Sequence, residues 1–438
     1  MRKTTIASAQ RVCGVIANIA ADKSISHRCA IFALLCDGAC EVENYLLGED
    51  TLHTLSIARA LGLVVEQPSP TRMRFIPPTN GITEPSDVLD CGNAGTGMRL
   101  YAGLLAGVRG HFVLSGDKYL NKRPMKRIIE PLTRIGARIY GRCENSLAPL
   151  SIIGAELQPF TYYSSVASAQ VKSAMILAGL YANGRSSFSE PLLSRDHTER
   201  MLEGMGVEFE RWSDTQGAHL RFTPLARGQK LRAFKIHIPA DPSSAFYFAL
   251  AACIVPNSHI VLENVLLNPT RIEAFEVLKK MGAQISYAPK SSQYEDIGDI
   301  EVRYAPLRAV EVAHNIAWLI DEIPALAIAF ACAQGTSVVR NAKELRIKES
   351  DRISATIAGL RAMGIECEEF EDGFSVRGGE LKSASVDSQG DHRIAMSFAI
   401  AGLVCGAQIT DSACIDVSFP NFLEILSTFT RVDCVQVS

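Results

Sequence analysis

Lysines and arginines stand where buried helices are expected to begin. Six polar clusters each precede a run rich in Ala, Leu and Gly. They are Lys23-Ser-Ile-Ser-His-Arg28, Asn93-Ala-Gly-Thr-Gly-Met-Arg99, Ser168-Ala-Gln-Val-Lys-Ser173, Asp241-Pro-Ser-Ser244, Asp321-Glu322 and Asp391-His-Arg393. Ser, Thr and Asp are ordinary helix caps. Lys23, Arg28, Lys172 and Arg393 are not, because a cation opposes the positive end of the helix dipole. An anion between the cation and the helix end removes the conflict. The clusters therefore predict several helix N-termini that face a multiply charged, anionic small molecule. More basic residues lie at the starts of other helices: Lys122, Arg123, Lys126 and Arg127, then Arg195, then Arg346, Lys348 and Arg352. Arginine offers planar, bidentate donors that suit phosphate and carboxylate. Lys126 and Arg127 are expected to be solvated face.

The same stretches carry candidates for proton transfer. Asp321, Glu322 and Glu349 are carboxylates set among cations, and a neighbouring positive charge keeps a carboxylate ionised and able to act as a base. Asn93–Arg99 has glycines that let a ligand approach the backbone. Alone it reads equally as an anion cradle or as a glycine-tolerant turn. It lacks the Gly-Lys-Ser/Thr of a nucleotide phosphate loop. No HExxH and no paired Cys/His spacing indicates a metal. No GxSxG and no dinucleotide fingerprint is present. His197 and His392 read as structural hydrogen-bonding groups.

These clusters must be positioned by a repeated scaffold. A one-sided helix that ends in Gly, followed by an alternating strand, recurs at Gly62, Gly136, Gly206, Gly282 and Gly364. A sixth copy without the Gly is expected at 422–429 and 432–437. Gly just past the last turn is the usual helix C-cap. In step with it recurs an apolar helix followed by a β-branched strand, and a helix apolar nearly all round should be buried. Six copies of one α/β unit, with α and β elements in each, imply an internal repeat that governs the whole fold. Three units per domain is the compact arrangement for this length.

Composition sets the outer limits. The chain has 438 residues, 47% apolar and 21% charged, with a formal net charge of −3. The length suggests two domains or more, the composition is ordinary for a soluble globular enzyme, and the charge argues against global attraction for nucleic acid or an anionic membrane. Any affinity for anions is therefore local. The twelve cysteines show no CxxC pair, and they read as core residues of a reducing compartment. No leader segment and no membrane span is read, which predicts a cytoplasmic protein.

Taken together, the chain resembles the 5-enolpyruvylshikimate-3-phosphate synthase family of enolpyruvyl transferases over nearly its full length. The resemblance rests on Asp22-Lys-Ser-Ile-Ser-His-Arg28, Gly92-Asn-Ala-Gly-Thr96, Arg123-Pro-Met125 and Ser168-Ala-Gln-Val-Lys172. It rests also on Asp321-Glu322, Lys348-Glu-Ser-Asp-Arg352 and Asp391-His-Arg-Ile-Ala-Met396. It implies a two-domain, inside-out barrel-like fold of six βαβαββ units. One domain would be residues 1–20 plus 234–438 and the other 21–233, with the active site in the cleft between them. It implies transfer of the enolpyruvyl group of phosphoenolpyruvate to the 5-hydroxyl of shikimate 3-phosphate, with release of phosphate. No cofactor or metal is implied, and the protein would be a monomer.

The resemblance also implies residue roles. Lys23, Ser24, Arg28, Ser168, Ala169, Gln170, Arg195 and Lys348 would hold shikimate 3-phosphate. Gly95, Arg123, Gln170, Arg352 and Arg393, with Lys23, would line the phosphoenolpyruvate site. Asp321 would act as base at the hydroxyl. Glu349, assisted by Lys23, would transfer a proton at the methylene carbon. The related transferase that acts on UDP-N-acetylglucosamine normally has a Cys in the loop corresponding to Gly116–Arg123, and no Cys occurs there in this chain. A non-enzymatic repeat scaffold would not need charge at buried helix starts.

Overall fold

The structure is a computed structural model that describes residues 2–226, 228–292 and 294–436. Among the described residues three repeats are uninterrupted, and each begins with a strand that runs into a buried helix and returns as a parallel neighbour. A one-sided helix and an antiparallel hairpin complete it. Thus Leu89–Asp90 leads into helix Gly95–Ala106 and pairs in parallel with His111–Ser115. Helix Lys126–Arg134 follows, then Arg138–Gly141 and Leu147–Ile153, both antiparallel to their neighbours. A parallel pair needs a long crossover, and the buried helix supplies it. The described residues form six such four-stranded sheets, each with one parallel and two antiparallel pairings.

The chain divides into two compact units, three sheets in each. One comprises 21–238 with 293–295, the other 1–20, 239–292 and 296–438. The second takes its sheets from both chain ends. Strand Cys13–Ile16 pairs in parallel with His259–Leu266. Strand Arg2–Ile6 lies between Ala407–Thr410 and Val432–Gln436. The changeover falls a few residues later than the expected 234, because Lys235–His237 pairs in parallel with Cys40–Glu43 and so completes a sheet of the 21–238 unit. The sixth repeat has helix Phe422–Ser427 and strand Val432–Gln436; Val437 lies outside the described residues.

The apolar helices form the cores. Every residue of Pro242–Ile254 and of Ile323–Ala331 is buried. In the 21–238 unit, helices Gly95–Ala106 and Ala169–Gly179 touch backbone to backbone. A Cβ at Gly103 would lie 2.2 Å from the Ala174 carbonyl oxygen, so only glycine permits this approach. That contact fixes how near the two helix starts, with their polar residues, come to each other.

Candidate functional site

In the 21–238 unit, three helix starts and one turn carry the cations. Asp22 caps helix Lys23–Ala33, its Oδ1 accepting from the Ile25 amide at 2.8 Å. The Lys23 ammonium forms an ion pair with Asp50, in the first turn of Glu49–Ala60. Arg28, one turn further along, is 3% exposed. It donates to the Ser24 carbonyl (2.9 Å), the Thr198 hydroxyl (2.8 Å) and the Ser173 hydroxyl (3.0 Å). Its neighbour His27 is fully buried and touches Thr54 Oγ1 through Nδ1 at 2.8 Å. Burial, aided by Lys23, lowers its pKa to about 3, so this ring is neutral at physiological pH.

Ser168 caps helix Ala169–Gly179. Ala169 and Gln170 open its first turn. The Gln170 amide bridges to the neighbouring helix: its oxygen accepts from Arg99 Nη1 at 2.5 Å and its nitrogen donates to Thr96 Oγ1 at 3.1 Å. Arg123 donates to the Asn93 side-chain oxygen. Gly95 sits between these groups. A Cβ there would lie 3.1 Å from Arg123 Nη1 and 3.2 Å from Arg99 Nη1. Arg195 is half-buried, just after a turn that Glu190 closes by accepting from the Ser194 amide and hydroxyl at 2.8 and 2.9 Å.

Lys172 corrects one expectation. Its side chain is 0% exposed. It lies 2.8 Å from Glu190, 2.8 Å from Glu199 and 3.1 Å from the Ser194 carbonyl. An ammonium has three N–H donors, and those three oxygens use them all. The anion that the sequence required is internal. Burial opposes the lysine charge, but the two glutamates hold its pKa above the ordinary value. Burial raises that of Glu199 against the pull of Lys172.

The other unit is built differently. Arg352, at the start of helix Arg352–Ala362, is 2% exposed. Its Nε donates to Asp391 at 2.8 Å, its Nη1 to Asp321 at 3.1 Å and its Nη2 to Glu349 at 2.6 Å. Burial works against its charge, and Asp391, Glu349 and Asp321 together override that and hold its pKa above the ordinary value. Asp391 is fully buried, caps helix His392–Cys405 and accepts from Ser350 at 3.0 Å. Arg393 lies 4.0 Å from buried Glu322. Burial pushes the Tyr247 hydroxyl to about 12, with Arg393 pulling the other way. Burial also lowers the Lys348 pKa below the ordinary lysine value, opposed by Asp321. Here Lys348, Arg352 and Arg393 are interleaved with Asp321, Glu322, Glu349 and Asp391. In the 21–238 unit, Arg28 donates to the neutral oxygens of Ser24, Ser173 and Thr198.

The chain matches the family model for EPSP synthase (3-phosphoshikimate 1-carboxyvinyltransferase) over residues 6–426. It belongs to the EPSP synthase family. It is 65% identical over 435 residues to the 3-phosphoshikimate 1-carboxyvinyltransferase of Helicobacter hepaticus, covering 99% of each chain. It is 59% identical over 415 residues to that of Sulfurimonas denitrificans, covering 95% of each. Among solved structures it resembles the EPSP synthase of Acinetobacter baumannii, with a TM-score of 0.87 and 36% identity over 100% of both chains. The enolpyruvyl transferase NikO of Streptomyces tendae shares the fold, with a TM-score of 0.80 at 15% identity over 100% of this chain and 99% of that one.

The residues that the family resemblance implies fall into two sets. Lys23, Ser24, Arg28, Gly95, Arg123, Ser168, Ala169, Gln170 and Arg195 lie in the 21–238 unit, and Asp321, Lys348, Glu349, Arg352 and Arg393 in the other. Asp50 and Thr198 went unnoticed. Asp50 sits in the acidic pair Glu49-Asp50, which reads as ordinary first-turn compensation of a helix dipole. Thr198 lies 170 residues from Arg28, and no local pattern joins them. Among the described residues no group of three or more His, Cys, Asp or Glu could hold a metal ion, and no helix is long and apolar enough to cross a membrane.

Proposed function

We infer that this chain is a 3-phosphoshikimate 1-carboxyvinyltransferase of the shikimate pathway. It transfers the enolpyruvyl group of phosphoenolpyruvate to the 5-hydroxyl of shikimate 3-phosphate, giving 5-enolpyruvylshikimate 3-phosphate and phosphate. The observation that carries this is identity of 65% across 99% of the chain with a relative of that name. The chemistry of the two residue sets supports it. Each substrate bears a phosphate and a carboxylate, which suits the cation-rich set. One proton must leave a hydroxyl and one must reach a methylene carbon, which suits the set rich in carboxylates.

Within this reading, Lys23, Ser24, Arg28, Ser168, Ala169, Gln170, Arg195 and Lys348 hold shikimate 3-phosphate. Lys23, Gly95, Arg123, Gln170, Arg352 and Arg393 hold phosphoenolpyruvate. Asp321 takes the proton of the 5-hydroxyl as its oxygen attacks C2 of phosphoenolpyruvate. Glu349, with Lys23, delivers a proton to the methylene carbon, giving a tetrahedral intermediate with a methyl group. Loss of a methyl proton restores the double bond as the C–O bond to phosphate breaks. The cations offset the charge that develops on the departing phosphate. The protein acts as a cytoplasmic monomer.

The test is phosphate release from purified protein given phosphoenolpyruvate and shikimate 3-phosphate, with UDP-N-acetylglucosamine as the competing acceptor. Turnover with the shikimate ester is expected. Turnover only with the nucleotide sugar sinks the reading.

Gly95→Ala probes the phosphoenolpyruvate side. The new methyl displaces the far ends of Arg123 and Arg99, which can move, so the fold survives. Loss of one well-aligned charged hydrogen bond is worth about 1.5 kcal/mol, or roughly tenfold in KM for phosphoenolpyruvate. Steady-state kinetics with both substrates varied measures it, and an unchanged KM returns Gly95 to a simple turn residue.

A further inference from the structure

We propose that Lys172, with Glu190 and Glu199, is a positioning cluster for the side chains that hold shikimate 3-phosphate. The proposal rests on the assignment of Arg28, Ser168, Gln170 and Arg195 to that substrate. Lys172 itself does not touch the ligand, because its three donors go to Glu190, Glu199 and the Ser194 carbonyl.

Each partner ties the lysine to a different substrate-holding element. Lys172 lies in the first turn of the helix that Ser168 caps and Gln170 opens. Glu199 lies in helix His197–Gly204, next to Thr198. Ser173 and Thr198, the chain neighbours of Lys172 and Glu199, share a hydrogen bond of 2.7 Å, and both accept from Arg28. The Lys172–Glu199 ion pair therefore runs beside the hydroxyl pair that fixes the Arg28 guanidinium. Glu190 ends strand Ser186–Glu190 and closes the turn to Ser194 through the oxygen that also meets Lys172. That turn delivers the next residue, Arg195. One buried ammonium thus sets the relative placement of a helix start, a fixed arginine and the arginine-bearing turn.

The cluster is ill suited to a purely stabilising role. It sets two carboxyl side chains against one ammonium, all at most 2% exposed. Glu190 Oε2 and Glu199 Oε2 have no hydrogen-bond partner among the described residues. Buried ion pairs of this kind are often no more stable than apolar replacements. What an apolar replacement cannot do is tie three elements to one point with directional bonds.

The experiment compares wild type, Lys172→Met and Glu199→Gln in two-substrate kinetics, with thermal unfolding as the control. Misplacing binding groups by about 1 Å can cost about 100-fold. Lys172→Met is therefore expected to raise KM for shikimate 3-phosphate about 10- to 100-fold, with KM for phosphoenolpyruvate and kcat within about threefold. Glu199→Gln keeps the shape of the side chain and removes one charge of the cluster, which loosens the tie between Lys172 and helix His197–Gly204. It should shift the same KM in the same direction by a smaller factor, and it decides the matter if Lys172→Met does not fold. A folded variant pair with unchanged KM for shikimate 3-phosphate, beside a wild type that turns over, overturns the proposal. Equal loss for both substrates also overturns it, since general loosening would act that way. A wild type that does not turn over shikimate 3-phosphate overturns the functional reading instead.

Discussion

Asp321→Asn should lower kcat by about 10²–10⁴-fold, the usual contribution of a positioned general base. Asparagine keeps the shape of the side chain, and its oxygen can still accept from Arg352 Nη1, which lies 3.1 Å from Asp321 Oδ1. What it loses is an oxygen basic enough to take the hydroxyl proton. KM for each substrate should therefore change little, and a ligand titration should still show both binding. Phosphate release under saturating substrates measures the loss. A turnover within a few-fold of wild type would assign the base elsewhere.

Arg352→Met is the second substitution with a large expected effect, and it acts on stability as well as activity. The guanidinium is 2% exposed and touches three carboxylates. Removing it leaves Asp391 fully buried without that cation, and takes one positive charge from beside Asp321 and Glu349. Breaking a buried pair by deleting one partner costs about 3–5 kcal/mol; Asp321 and Glu349 are partly exposed, which favours the lower end, about 3 kcal/mol. The loss should depend on pH with a definite sign. In the variant, burial and mutual repulsion raise the carboxylate pKa values, so the folded state binds more protons than the unfolded one. Variant stability therefore falls as pH rises. Its deficit against wild type should be widest at neutral pH and narrow as pH drops toward the carboxylate range. Urea unfolding at a series of pH values checks this, and a deficit independent of pH would mean that repulsion is not its source.

The repeat was legible because its signals are local. A glycine after a one-sided helix and an apolar helix before a β-branched strand are each fixed by neighbours a few residues away. The pairing of Lys235–His237 with Cys40–Glu43 was not legible, because parallel pairing over such a separation leaves no mark in either segment. At the site, the positions of the cations were legible but their partners were not. Lys172 obeyed the argument that a cation at a buried helix start needs an anion. The anion was Glu190 and Glu199, 18 and 27 residues further on, rather than a ligand. Charge compensation depends on three-dimensional proximity, so the sequence alone could not show which cations have carboxylate partners within the chain. Arg352 has both characters: it stands at a helix start as expected, yet its recorded donors point to carboxylates of its own chain.

Strand Arg2–Ile6, held between Ala407–Thr410 and Val432–Gln436, has a consequence for the order of synthesis. Arg2–Ile6 belongs to a sheet whose other members, Ala384–Asp387, Ala407–Thr410 and Val432–Gln436, are made roughly 380 to 430 residues later. At about 5–20 residues per second, the roughly 200 residues after the 21–238 segment take about 10–40 s to appear. During that time Arg2–Ile6 has neither neighbour, and an unpaired strand invites association with other chains. Nascent chains stalled near residue 320 should protect 21–238 from protease while the first twenty residues are trimmed. Protection of the N-terminus at that length would mean that the early strand finds a temporary partner. Either way, Arg2–Ile6 is enclosed only when Val432–Gln436 has emerged.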